Sequence, residues 1–253
     1  MACNVFGDPI TYSSLERMSE YVGKEKRSED RAYVALQLKN VGAKGKNALE
    51  YLEKLNAQWG TEVSTMGLIY NATGNAIKLL KTHDWHGCIG ASPFPIRIEN
   101  GQWGVFLHVD TDSTGSEAAV VYRGQNLRGV TTDWFLSWSN PPSYQLTTNK
   151  VFTKHDEHSP FVGANHSSGN DLWNSLSKLL HESSLCHSVN QYESQSAGSI
   201  GNGSTVISEF ISFLTVPSGS GVKENYRTGH DEVKTGKSCI LRTLPSQIIG
   251  EIL

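Results

Sequence analysis

The chain has 253 residues, enough to bury a sizeable core, and 38% hydrophobic with 19% charged residues is the balance of a folded globular protein rather than a disordered one. A formal net charge of −3 excludes a general attraction to nucleic acid or to anionic lipid. Residues 1–9 lack the basic start and apolar run of a secretory signal, and we therefore expect a cytoplasmic protein.

The first 60 residues predict a helical region, which we expect to pack on the rest of the chain. Asp8 and Pro9 suit a helix start, and a second helix is predicted from Ser28 to about Lys39. The third helix, from Lys46 to Trp59, is the clearest, and Gly60 supplies its stop. Its apolar stripe consists of Ala48, Leu49, Leu52, Leu55 and Trp59.

After Gly60 the apolar period changes from 3.6 to 2, which is the signature of β-strands. Turn residues separate the strand candidates, as in an antiparallel sandwich. We predict about ten strands between residues 61 and 216, the clearest candidates being 63–70, 76–81, 102–109, 117–123, 134–139, 149–155 and 205–216. The fold class is therefore mainly β, an antiparallel β-sandwich with an N-terminal helical region.

One helix interrupts the strands, at about residues 171–182, where apolar side chains form a stripe. From Pro217 onward polar and small residues dominate, so 217–253 is predicted to be a flexible tail. Its apolar end, Ile248 to Leu253, either docks on the sandwich or serves a partner. The four cysteines, at positions 3, 88, 186 and 239, are too widely spaced for a disulfide scaffold, and we expect reduced thiols.

Two His-Asp-x-His tetrads offer imidazoles that could bind zinc or copper. The first is His83-Asp84-Trp85-His86, with Cys88 close by, and the second runs from His155 to His158. In a strand or loop, this spacing turns the two rings to different sides, so neither tetrad is a ready-made chelate. Polar loop or strand-end residues are the alternative. No cofactor motif is present, since the glycine-rich segment 198–203 lacks the residues that complete a phosphate loop.

Aromatic residues surround a polar, proline-containing loop. Trp138, Ser139, Pro141, Ser143 and Tyr144 would form a ligand-binding group there, because aromatic rings beside a rigid polar loop can hold a sugar or a choline headgroup. Trp134, four residues before Trp138, is expected in the core. Trp138 itself is left open between the core and the site.

Several segments of the sequence resemble the 23 kDa jasmonate-induced protein family of plants. They are residues 1–10, 68–74, 98–104, 118–124 and the tetrad segment 83–87, within a similarity that covers residues 1 to about 215. The resemblance implies a cytoplasmic protein that accumulates under wounding, salt or jasmonate signalling. It implies no established activity.

The succession of elements also resembles the actinoporin-like cytolysins, whose fold is shared by fungal fruit-body lectins. In that resemblance Ser139 and Pro141 match a Ser-x-Pro loop that holds phosphocholine, and Tyr144 matches a tyrosine of the same site. The helix near residue 173 offers Trp173, Leu176 and Leu180 where the cytolysins have tyrosines. The resemblance implies a β-sandwich flanked by helices.

Three functions follow from these observations. The first is a stress-induced plant defence protein that acts as a non-enzymatic binding module for a glycan, a lipid headgroup or a protein. The second is a pore-forming cytolysin. The third is an enzyme or metal-binding protein that uses His83, Asp84, His86 and Cys88. The predicted partners are a small glycan or a phospholipid headgroup, with no nucleic acid; a membrane surface is a further candidate, which the net charge does not support.

Overall fold

The computed structural model describes residues 4–60, 62–142, 147–157, 160–161 and 169–214. The predicted tail at 217–253 lies outside these residues. The described helices are α1 (Tyr12–Glu16), α2 (Ser28–Gln37), α3 (Lys44–Trp59) and α4 (Gly169–Glu182), with two 3₁₀ turns at Ser19–Tyr21 and Val41–Ala43. Among the described residues, no helix is both long and apolar enough to cross a membrane.

Twelve strands are present in the described part of the chain, and they form two sheets. The strands are β1 (Val5–Phe6), β2 (Ser64–Ala72), β3 (Ile77–His86), β4 (Cys88–Ile89), β5 (Arg97–Ile98), β6 (Trp103–Val109), β7 (Ser116–Gln125), β8 (Thr131–Asn140), β9 (Lys150–Asp156), β10 (Cys186–Gln191), β11 (Ser194–Ile200) and β12 (Thr205–Leu214). The mainly β fold predicted from the sequence is confirmed.

The seven-stranded sheet has the order β1-β6-β2-β12-β11-β10, with β4 also paired to β6, and the five-stranded sheet has the order β5-β3-β7-β8-β9. Most neighbours are antiparallel, but β12 pairs with β2 in parallel, with Thr205 opposite Ser64. The expectation of a purely antiparallel sandwich is corrected at this pair. The long connection between the two strands, which contains the whole five-stranded sheet and α4, makes the parallel pairing possible.

Apolar side chains fill three layers. The central layer lies between the sheets and includes Phe106, Trp134, Trp138 and Phe210. A second layer lies between the seven-stranded sheet and helices α2 and α3, and a third lies between the five-stranded sheet and α4. Burial of this apolar surface is the main force that holds the helices on the sheets.

Four local expectations need correction. The first helix begins at Tyr12 with Thr11 as its cap, rather than at Asp8 and Pro9. The hairpin β10–β11 was not predicted, because most buried positions of β11 are small residues such as Ser194, Ser196 and Gly198 rather than large apolar ones. The short strand β1 in the N-terminal region was also missed. Cys186 is in a disulfide bond, so the expectation of reduced thiols is wrong at that position.

Candidate functional site

One end of the sandwich, which we call the loop end, collects the last residues of β3, β6 and β8 and the first of β2, β7, β9 and β12. Asn140 joins these elements, because its side-chain amide donates to the carbonyls of Ser64 (3.1 Å) and Ser204 (2.7 Å). Gly115 has φ +97°, and a Cβ there would lie 2.6 Å from the Asn140 carbonyl oxygen. The turn before β7 therefore requires glycine to approach the start of the Pro141 loop.

A buried carboxylate lies at this end, on the outer face of the five-stranded sheet. Glu117 is 6% exposed, and its Oε2 accepts a 2.6 Å hydrogen bond from Ser139 Oγ. His181, in the last turn of α4, places Nε2 2.9 Å from the same oxygen, with its side chain 53% exposed. The sheet thus holds the carboxylate and the helix presents the imidazole that covers it. We call Glu117, Ser139, His181 and the neighbouring Lys150 the Glu117 cluster.

The strand register explains how these residues come together. Glu117 lies opposite His86 on β3 and opposite Ser139 on β8, and Ser139 in turn lies opposite Lys150 on β9. The four side chains therefore form one row across four strands, since directly paired residues share a face. Lys150 Nζ also donates to the backbone carbonyl of His181, which ties the end of α4 to this row.

An aromatic group lies beside the row, beneath α4. The rings of His83 and Trp173 are stacked, with centroids 4.4 Å apart and an interplanar angle of 5°. Trp85 meets both rings edge to face, at 5.0 and 6.2 Å. Its indole Nε1 is buried and has no hydrogen-bond partner within the described part of the chain. The site therefore combines aromatic surface, an unpaired donor and charges of both signs.

The structure does not bring all the residues of the predicted ligand-binding loop together in one site. Trp138 is fully buried between the sheets, like Trp134, and its Nε1 donates to Ser116 Oγ at 3.1 Å. Alternation along β8 turns Trp138 inward and Ser139 outward into the Glu117 cluster. Pro141 follows at the loop end and is partly exposed. Ser143 and Tyr144 lie outside the described residues.

The predicted second group does not form one site. His83, Asp84, Trp85 and His86 lie on β3, where His83 faces α4 and Asp84 faces the opposite way, 3.3 Å from Nε2 of the buried His108. Cys88 lies on β4 in the other sheet and packs in the layer beneath α2 and α3. Among the described residues, no group of three His, Cys, Asp or Glu is arranged to hold a metal ion.

The His108 contact extends into a buried chain that resembles a catalytic triad in composition. His108 Nδ1 lies 2.9 Å from Ser116 Oγ, which also lies 2.8 Å from Thr65 Oγ1. Ser116 and His108 are both fully buried, and the carboxylate of Asp84 is the exposed member. A nucleophile needs access to its substrate, and Ser116 has none. These buried hydrogen bonds therefore stabilise the core instead.

The residues of the second tetrad, 155–158, do not form one site either. His155 is buried, with Nε2 2.8 Å from Ser196 Oγ and Nδ1 3.3 Å from the Gln191 carbonyl, and burial lowers its pKa to about 4. Lys154 Nζ lies 3.1 Å from Asp156. His158 lies outside the described residues. His155 therefore joins β9 to the β10–β11 hairpin.

Sequence reasoning missed Glu117, Lys150 and His181. Glu117 begins an apolar strand and His181 ends an amphipathic helix, and both are common surface positions, so nothing in either local pattern marks a site. The usable signal was the register, since a strand at 117–123 paired with one at 134–139 can place Glu117 opposite Ser139.

Comparisons with known proteins identify relatives of this chain. A family model described as Nakanori-like protein matches residues 6–214. The 23 kDa jasmonate-induced protein of Hordeum vulgare is 35% identical over 213 residues, which cover 81% of this chain and 95% of the relative. A jasmonate-induced protein homolog of Atriplex canescens is 31% identical over 83 residues, 32% of this chain and 45% of the homolog.

A solved structure matches the fold of this chain over a similar span. The crystal structure of the lipid binding protein Nakanori matches with a TM-score of 0.72 and 29% sequence identity, covering 83% of this chain and 99% of that one. The resemblance to the jasmonate-induced proteins that the sequence segments predicted is confirmed.

Proposed function

The chain belongs to the Nakanori-like protein family, and from this premise we propose that it is a non-enzymatic protein that binds a phospholipid headgroup at the Glu117 cluster. The observation that carries the proposal is the cluster itself, a buried carboxylate, a hydroxyl, an imidazole and an ammonium at one end of the sheet. Nakanori is named as a lipid binding protein, and the structural match covers 99% of the Nakanori chain. This similarity supports the choice of ligand class.

The charges of the cluster fit a zwitterionic headgroup. Lys150 and the exposed imidazole of His181 can donate hydrogen bonds to a phosphate, as basic side chains do in charge-assisted contacts. A quaternary ammonium on the same headgroup is attracted by the Glu117 carboxylate and by the face of an aromatic ring such as Trp85. Ser139 keeps the carboxylate in place through its 2.6 Å hydrogen bond.

Co-sedimentation with phosphatidylcholine and sphingomyelin vesicles tests the proposal. We expect the wild-type protein to bind and Glu117→Gln to bind roughly tenfold more weakly, a loss of about 1.4 kcal/mol. Glu157→Gln is the matched control. Glu157 is also a hydrogen-bonded carboxylate of low exposure, contacting Asn126 and Arg128, but it lies at the opposite end of the five-stranded sheet.

Each possible result distinguishes one part of the proposal. If Glu117→Gln binds vesicles as well as Glu157→Gln does, the Glu117 cluster is not the site. If the wild-type protein ignores vesicles and binds a glycan array, the ligand is a sugar. Release of an entrapped dye would add the activity of a pore-forming cytolysin to headgroup binding.

The biological setting is a separate proposal, supported by the names of the relatives. We propose that the protein accumulates in the plant cytoplasm after jasmonate or stress signals and serves defence. Quantifying the protein before and after jasmonate treatment tests the first part, and imaging of a fluorescent fusion tests the location. A constant protein level, or an extracellular signal, would contradict the respective part.

A further inference from the structure

Exposed tryptophan is rare in this protein. All six tryptophans lie within the described residues, and Trp59 alone among them is largely exposed, at 45%. Trp103, Trp134, Trp138 and Trp173 are buried, and Trp85 is partly covered beneath α4. A large apolar side chain that the fold leaves in water is the kind of residue that contacts a partner.

Trp59 belongs to the loop end, on the side away from the Glu117 cluster. It is the last residue of α3, and one turn earlier Asn56 Oδ1 accepts a 2.6 Å hydrogen bond from Ser64 Oγ at the start of β2. The Ser64 carbonyl in turn accepts from Asn140, the residue before Pro141. These bonds fix the end of α3 to the same loops that neighbour the candidate site.

The other flanking helix presents a matching residue. Leu179 is 41% exposed and lies in the last turn of α4, two residues before His181 of the Glu117 cluster. Both helices therefore end at the loop end, and each leaves one large apolar side chain in solvent there. The two residues lie on opposite outer faces of the sandwich, beyond either sheet.

We propose that the loop end docks as a unit on a bilayer surface, with Trp59 and Leu179 entering the lipid interface on either side of the loops. The inference rests on the proposed headgroup binding and adds the orientation in which the headgroup reaches the cluster. A tryptophan ring suits this interface, because its apolar body enters the acyl boundary while its N–H stays among polar headgroups.

A bilayer fits these residues better than a protein partner does. A protein interface has a contiguous, well-packed core, whereas Trp59 and Leu179 are separated by the full thickness of the sandwich. A broad, deformable lipid surface can meet both at once. Asp110 and Asp112 lie in the β6–β7 turn at the same end, and together with the net charge of −3 they favour zwitterionic over anionic lipid.

Tryptophan fluorescence with vesicles of phosphatidylcholine brominated on the acyl chains tests the orientation. We expect the bromines to quench the wild-type emission, and Trp59→Phe to lose most of that quenching, since the remaining five indoles are buried or partly covered. Replacing Leu179 with Ser should weaken vesicle binding roughly tenfold. Val130→Ser is the matched control, because Val130 is exposed in the β7–β8 turn at the opposite end.

The outcomes separate this inference from headgroup binding. If vesicles bind in co-sedimentation but Trp59→Phe is quenched as strongly as the wild-type protein, the docking orientation is wrong and headgroup binding stands. Equal binding by Leu179→Ser and Val130→Ser would likewise overturn the orientation. If the wild-type protein binds no vesicles at all, both proposals fail together.

Discussion

The two outer faces of the sandwich differ in how completely they are covered. The face of the seven-stranded sheet lies beneath α2 and α3, which bury a continuous apolar layer that includes Leu52, Tyr70 and Trp103. The face of the five-stranded sheet carries one helix, α4, and its apolar layer stops short of the loop end, where the Glu117 cluster begins. We call them the sealed face and the open face.

Both faces bury charged groups, but they satisfy them in different ways. On the sealed face, Lys44 Nζ donates to Tyr70 Oη (3.0 Å) and to the Gly101 carbonyl (2.7 Å), and Lys39 pairs with Glu209 at 2.5 Å. Those partners belong to the protein itself, so these charged groups stabilise the fold. On the open face, Glu117 pairs with a half-exposed imidazole that a ligand can reach. Incomplete coverage, rather than the presence of charge, therefore distinguishes a site from a core.

The largest expected effect comes from a matched pair of core truncations. Leu52→Ala on the sealed face should lower the free energy of unfolding by about 2 to 5 kcal/mol, because its fully buried side chain would leave a cavity that two helices hold open. Leu176→Ala beneath α4 should cost less, since a single helix can settle toward the sheet. Chemical denaturation of both variants measures the difference.

Vesicle binding sharpens the same comparison. Assayed below their unfolding transitions, Leu52→Ala should bind vesicles more like the wild-type protein than Leu176→Ala does, because α3 contributes only Trp59 at its far end, whereas α4 carries both Leu179 and His181. An exposed α3 variant, Lys54→Ala, controls for effects of mutation on the sealed face. A loss of binding in Leu52→Ala with Leu176→Ala unaffected would reverse the assignment of the two faces.

The two sheets meet at a seam between β9 and β10, where histidines predict acid sensitivity. Burial lowers the pKa of His155 to about 4, below the value near 6.5 of an unfolded chain. The unfolded state therefore binds a proton first, and stability that is fully present above pH 6.5 falls as the pH drops toward 4. We expect a loss of up to about 3 kcal/mol across this window.

His187 strengthens the same effect, because burial lowers its pKa and its Nδ1 accepts a 3.2 Å hydrogen bond from the Thr153 backbone N–H. A protonated Nδ1 could no longer accept this bond. Denaturant unfolding at pH 7.5 and 4.5 should show a smaller difference for His155→Gln than for the wild-type protein. An identical pH dependence in both would assign the acid sensitivity elsewhere.

The sequence predicted the elements whose burial uses large apolar residues. The stripe of α3 and the alternation of β6 each carry a regular apolar period, and both elements formed where expected. The hairpin β10–β11 lacks such a period, since Gly198 faces the Phe210 ring, where a Cβ would lie within 2.8 Å of it. Small residues opposite a large ring give no hydrophobic signal, although the packing requires them.

The site was predicted in part for a different physical reason. Ser139 was predicted because it lies beside prolines and aromatics, but Glu117 lies 22 residues before Ser139, and His181 lies 64 residues after Glu117. Only strand register and the path of α4 bring these side chains together. Trp138 could not be assigned from sequence, because a one-residue shift of register exchanges the core and outer faces of a strand.

A smaller effect is expected on the sealed face at alkaline pH. Burial lowers the pKa of Lys44 to about 8, below the 10.5 of an unfolded lysine, with the charge of Asp8 acting in the opposite sense. Between these values the unfolded state holds the additional proton, so stability rises as the pH increases above 8. Burial raises the pKa of Tyr70 above its ordinary value of 10, and stability therefore falls again above pH 10.

The free energy of unfolding should reach a maximum near pH 10, about 1 to 2 kcal/mol above its value at pH 7.5. Unfolding measured at half-unit steps from pH 7.5 to 10.5 would detect it, and Lys44→Met should remove the rise while leaving the decline due to Tyr70. A Lys44→Met variant that keeps the full rise would show that other groups produce it.

The smallest expected effect on stability lies at the open face, where it separates binding from folding. His181→Ala removes a side chain that is 53% exposed and contacts the Glu117 carboxylate at the rim of the sheet. Because half of the imidazole already lies in solvent, loss of its contact should cost about 0 to 1 kcal/mol, so the unfolding midpoint should hardly change. Vesicle binding should weaken severalfold, because the variant loses a donor for the phosphate.

His86→Ala, on the opposite side of Glu117 in the same row, is the control for loss of an exposed imidazole. Since α4 alone brings His181 to the row, equal binding by the two variants would mean that the helix end does not take part in the site, and the open face would then resemble the sealed face in being structural.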